Sequence, residues 1–125
     1  MNIPGLVTAR LAEAAIAGHR ILITGAAVGG TKQAVGVAAP MIGVSPKIPA
    51  ATGAVTDVIR SGLAPVEYGG TAADGALLTS DAQGRAIAVT LPVSVATYTI
   101  GFSEGGGVLG DIGSVHIVPG FIPAP

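Results

Sequence analysis

The chain has 125 residues and a mass of 12.0 kDa, with half of its residues apolar, 10% charged and a net charge of −1. That length suits one domain with a real core, and the near-neutral balance offers no basic field for a phosphate backbone, which argues against nucleic acid as a partner. The absence of cysteine excludes disulfides, thiolate metal sites and thiol catalysis, and the longest apolar run, Ala34 to Val44, is too short for a bilayer and broken by Gly36, Pro40 and Gly43, which argues against a membrane as a partner.

At the N-terminus, Pro4 and Gly5 follow Ile3, so residues 1–18 read as an arm ordered on a partner, with no signal-peptide core because Arg10, Glu13 and Arg20 interrupt it. Within the arm, Thr8 to Ala17 reads either as a short helix, capped by Thr8 and stopped at Gly18, or as an extended segment. From His19 the pattern turns to β. Arg20 to Thr24, Lys32 to Ala38 and Met41 to Ser45 read as strands, and a Pro/Ala/Gly loop follows at 46–53. Val55 to Arg60 and Leu63 to Tyr68 are expected to form a hairpin turned at Ser61-Gly62.

The clearest turn grammar lies between Glu67 and Val89. Gly69-Gly70 ends one apolar run, and Ser80-Asp81-Ala82-Gln83-Gly84 separates Leu77-Leu78-Thr79 from Arg85 to Val89, with Ile87, Val89 and Leu91 at period two. Asp81 can accept a bond from its own backbone two residues on, and Gly84 can take a positive φ. Tyr98 to Ser103 and Ser114 to Val118 are the last predicted strands, and Gly110-Asp111 is a further turn. Pro119 should end the sheet, leaving 121–125 as a Pro-rich tail. The predicted class is mainly β, a compact barrel or sandwich of short strands over 19–120. One echo joins its halves: Ile42-Gly43-Val44-Ser45 and Ile100-Gly101-Phe102-Ser103 each follow a basic residue, a strand and a Pro-containing break.

No catalytic grammar accompanies the turns. In Gly25 to Lys32 a Thr precedes the Lys and a strand follows, the reverse of a phosphate loop entering a helix. His19 and His116 are the only imidazoles and have no partner at metal-ligand spacing. Asp74, Asp81 and Asp111 stand beside or near glycine, where a turn accounts for them. The reading is therefore no enzyme, no metal and no cofactor. With two Phe, two Tyr and no Trp, the core lacks large anchors, which suggests a subunit whose burial is completed by other chains.

Several stretches, taken in order, resemble the capsid cement or head decoration proteins of tailed bacteriophages. They are Ala14 to Ile21, Ile42 to Ser45, Val66 to Thr71, Gly75 to Ala86 and Gly110 to Val115. The resemblance covers Ala14 to Gly120 and departs at Asp74-Gly75-Ala76, where many relatives carry Gly-Asp before the first Leu of the corner. It implies a non-enzymatic virion protein on the outer surface of the head, bridging major capsid subunits, often as a homotrimer. Ile3, Pro4, Leu6 and Val7 are the candidate capsid contacts, and Gly69, Gly70, Asp81, Gly84, Gly110 and Asp111 are structural turn residues. The alternatives are a tail or spike component, or a β-barrel interaction module.

Overall fold

The computed structural model describes residues 3–125. The chain forms eleven strands and, among the described residues, no helix: β1 (Ile3–Pro4), β2 (Val7–Ala12), β3 (Ile21–Thr24), β4 (Gly30–Gln33), β5 (Met41–Val44), β6 (Val55–Ile59), β7 (Gly62–Glu67), β8 (Leu77–Ser80), β9 (Ala86–Ala88), β10 (Thr97–Glu104) and β11 (Ile112–Ile122). Strands β2-β4-β3-β5-β6 close into a barrel, and β1-β7-β11-β10-β8-β9 form a six-stranded sheet beside it.

Three expectations are corrected. The helix over Thr8 to Ala17 is not formed. Its first half is β2, in which Val7, Ala9 and Leu11 face out while Thr8, Arg10 and Ala12 are more buried, and Val7 to Leu11 pair with Ile59 to Val55. Backbone pairing on both flanks, to β6 and to β4, outweighs the weak helix preference of an Ala-rich run. Second, β6 and β7 make no hairpin. At Gly62 (φ 87°) the chain leaves the barrel and enters the sheet. Third, the sheet does not end at Pro119: β11 runs to Ile122 and only Pro123 to Pro125 lie beyond it. Thr99 pairs with Gly120 and Gly101 with Ile117, so Val118 and Pro119 together oppose Ile100. A proline without an N–H is tolerated at such a bulge. Past the bulge, Tyr98 and Phe121 stack with centroids 4.7 Å apart and fasten the strand end.

The echo in the sequence extends through the whole backbone. The order β2-β6-β5-β3-β4 is repeated as β7-β11-β10-β8-β9. Leu22 pairs with Gly43, and Leu78 pairs with Gly101. The isolated bridges Ile16–Ala50 and Ala72–Gly107 match, and the parallel bridge Tyr68–Ala86 stands where Ala12–Thr31 closes the barrel. Single hydrogen bonds correspond as well: Ser45 N to Arg20 O with Ser103 N to Ala76 O, and Gly53 N to Ala12 O with Gly110 N to Tyr68 O. Even the one non-glycine residue at positive φ among the described residues, His19 (57°), matches a glycine in the other half, Gly75 (81°). The protein is thus two tandem five-stranded units, β2–β6 and β7–β11, with β1 added to the edge of β7.

The first unit holds a small interior core of Ala12, Ile16, Leu22, Ile42 and Val58. The larger core joins its outer face, Ile21, Ala34, Met41, Val44 and Ile59, to the interior of the second unit, where Val66, Tyr68, Leu78, Ile100 and Val115 are fully buried. Burying one Val or Ile contributes about 1.5–3 kcal/mol, so the apolar residues shared across the junction hold the two units together.

Candidate functional site

The turn residues act on the backbone. Asp81 Oδ1 accepts from the N–H groups of Gln83 and Arg85 at 2.9 Å each, and its Oδ2 accepts from Arg85 Nε at 2.9 Å. Gly84 (φ 75°) completes that turn and seats it on the first unit, because its carbonyl accepts from Ile21 N and the neighbouring Gln83 carbonyl accepts from Gln33 Nε2. Gly69 is required by the same carboxylate, since a Cβ there would collide with it, whereas Gly70 has open space around it. Asp111 Oδ2 accepts from Val108 N at 3.0 Å beside Gly110 (φ 87°).

The first unit solves the same turn with the carboxylate on the opposite strand. Glu13, which matches Gly69, reaches across to accept from the N–H groups of Ala26 and Ala27 at 2.9 Å, and Gly25, which matches Asp81, makes room for it. The N–H of Ala27 first, then that of Ala26, and more weakly Lys32, hold the Glu13 carboxyl below its ordinary value of 4.5. A depressed folded value means the stabilisation is complete above the ordinary value and fades as pH falls below it. Melting curves between pH 7 and pH 3 should therefore lose a component that is missing in Glu13→Gln. In Glu13→Gly the loop should loosen, and adding Gly25→Asp should restore the melting temperature.

Charged side chains serve to join the two units. Glu67 lies between Arg20 Nη2 (3.4 Å) and Arg85 Nη1 (3.9 Å), which carries on to Asp81, and this chain of charges ties the second unit to the first. Among the described residues no three His, Asp or Glu side chains converge closely enough to hold a metal ion. An open groove of about 520 Å³ is lined by Leu91, Pro92, Val93, Ile122, Pro123 and Pro125, none of which has a titratable side chain.

What the surface presents is apolar side chains on a fixed backbone. Ile3 and Leu6 are 57% exposed and Val7 43%, and Pro4 is exposed beside them. Their backbone is held: β1 pairs with Leu63 and Gly62, Leu6 N donates to Ser61 Oγ at 2.7 Å, and Arg60 N donates to Leu6 O at 2.7 Å. The four candidate contacts are therefore exposed on backbone that is held in place, with the first two residues of the chain outside the described residues. A second apolar row escaped the sequence reading. On the outer face of the sheet, Ile3, Leu63, His116, Phe102 and Leu77 are paired in register across β1, β7, β11, β10 and β8. Phe102 is 43% exposed there, and His116 is exposed as well. Alternation within β10 was the available signal, for Phe102 and Glu104 face out between the buried Gly101 and Ser103.

No protein-family model matches the chain, and no curated protein matches it. Among solved structures, the crystal structure of the head fiber gp8.5 N base in bacteriophage phi29 is similar in fold, with a TM-score of 0.67 over 90% of this chain and 93% of that one, at 19% sequence identity.

Proposed function

We propose that the chain is a non-enzymatic structural protein of a bacteriophage virion, seated on the outer surface of the head, where it bridges neighbouring major capsid subunits as a homotrimer. The observation that carries the reading is the fold held in common with the base of a phage head fiber across nearly the full length of both chains. The sequence resemblance to decoration proteins supports it independently, and so does a surface rich in exposed Ile, Leu, Val and Phe but poor in charge. A subunit that binds the assembled shell and not its dissociated parts stabilises the shell by mass action. The identity of that neighbour as a head-fiber base favours a second reading, in which the chain is the base from which a fiber or spike projects.

Co-sedimentation with purified expanded heads tests the proposal. In the docking patch, Ile3→Ser combined with Leu6→Ser should weaken head binding on the order of ten- to a hundredfold, about 1–3 kcal/mol of lost apolar burial. Both residues are exposed, so the melting temperature should hardly move. Unchanged occupancy of the heads would remove the patch from the account. Negative-stain images separate the two readings, since a bridging subunit coats the lattice and a fiber base appears under discrete projections.

A further inference from the structure

The two units are alike but not equally covered, and the difference leaves two complementary surfaces exposed. On the first unit, the outer face formed by Ile21, Ala34, Val44 and Ile59 is closed over by the second unit, with exposures of 0%, 0%, 0% and 8%. The matching positions on the second unit are Leu77, Val89, Phe102 and His116, fixed by the pairings Leu77–Phe102 and Phe102–His116 and by the bond from Val89 N to Leu77 O. Among the described residues no element closes over this face: Leu77 and Val89 are half-buried, and Phe102 and His116 are exposed.

The covering element shows the reverse imbalance. The second unit caps the first with its Asp81–Arg85 turn, whose Gly84 packs on Gln33 and Arg20 while its carbonyl accepts from Ile21 N. The corresponding loop of the first unit, Gly25 to Gly29, caps nothing. Its Val28 is fully exposed although Glu13 holds the loop in shape. A preorganised cap without a face thus coexists with an apolar face without a cap, on one chain that already contains the completed junction between them.

We propose that a second copy of this chain occupies the open face, with its first unit standing to the second unit of its neighbour as the second unit stands to the first within one chain. The Gly25–Gly29 loop of the neighbour lies over Leu77, Ala76 and Ala88, the counterparts of Ile21, Arg20 and Gln33. The contact joins two different patches, so it is head-to-tail, and it closes into a ring or runs on as a row according to the rotation between units. The inference rests on the internal repeat and holds whether or not the particle is a phage head. The charges differ between the two junctions. Arg20, Glu67 and Arg85, which link the units inside the chain, correspond to Ala76, Leu11 and Gly30 at the junction between chains, so these ion pairs have no counterpart there.

Sedimentation of the full chain over a concentration series reaching about 1 mM should show species larger than 12.0 kDa. Val28→Asp blocks the cap and Phe102→Glu blocks the face, and each should weaken self-association at least about a hundredfold, because a charge is then buried against apolar surface without a partner. Circular dichroism should show both variants folded, as both side chains are exposed. The deciding measurement is the mixture. The Phe102→Glu chain keeps its cap and the Val28→Asp chain keeps its face, so together they should form a one-to-one dimer and nothing larger. A chain that stays at 12.0 kDa throughout, variants that associate like the parent, or a mixture that remains monomeric would each overturn the proposal. A parent chain that self-associates but does not co-sediment with heads would instead count against the function proposed above.

Discussion

Gly101→Ala is expected to cost at least about 3 kcal/mol and to lower the melting temperature by roughly 10 °C or more. Gly101 stands at φ 151°, inside the region that L residues rarely adopt, and a Cβ there would be driven into the carbonyl of His116 with Val118 N 2.8 Å away. Both obstacles are backbone of the paired strand, so no rotamer change can relieve them. The register shift between Thr99 and Gly101 is built around that close approach. Gly43 is its counterpart in the first unit. A Cβ at Gly43 would strike the carbonyl of Ile59 and come within 2.8 Å of Val58 Cγ1, again at a register shift, the one between Leu22 and Ile23. Gly43→Ala should therefore also destabilise, but less, because one of its obstacles is a side chain and its φ lies outside the strained region. Thermal melting of the two variants side by side checks the order, and equal small losses would show that the bulges are soft.

These two glycines also mark how far the sequence could be read. The Ile-Gly-apolar-Ser echo identified two strands with glycine at a bend, and both sit at the bulge that the backbone needs. Turns were legible for the same reason: Asp81 with Gly84 and Asp111 with Gly110 carry their cause in the local residue types. The repeat as a whole was not legible, because the two units conserve hydrogen bonds and volumes while exchanging residues. The turn carboxylate sits on Glu13 in one unit and on Asp81 in the other, with the glycine exchanged to match. Thr8 to Ala17 read as helix or extended segment alike because its Ala-rich run blurs both periods, and only pairing of Val7 to Ala12 with β4 and β6 decides it. Pro119 was read as a stop because the bulge that accommodates it is set by Ile100 on another strand. The apolar row from Ile3 to Leu77 joins residues far apart in sequence, and strand order alone brings them together.

Volume exchange between the units leads to the largest loss expected of a single side chain. Tyr68 is the largest fully buried residue, and its hydroxyl lies 2.8 Å from Ser103 Oγ and donates to the Ser114 carbonyl at 3.0 Å. The ring fits only because Gly107 and Gly113 lie against it, where a Cβ at either would collide with it. In the first unit the matching positions are Ala12, Ala50 and Thr56, so a much smaller residue than Tyr68 faces two that are larger than glycine. Tyr68→Ala should therefore cost about 3–5 kcal/mol, as other large-to-small aromatic truncations do, and leave a cavity. Tyr68→Phe should cost only about 1 kcal/mol, since it removes the hydroxyl and keeps the ring. If the two units are solutions to one packing problem, Tyr68→Ala should be partly repaired by Gly107→Ala with Gly113→Thr, which rebuilds the arrangement of the first unit in the second. Each of those glycine changes made alone, with Tyr68 present, should destabilise by overpacking. A triple variant less stable than Tyr68→Ala, measured by urea unfolding, would show that the units share a hydrogen-bond grid but not a common core.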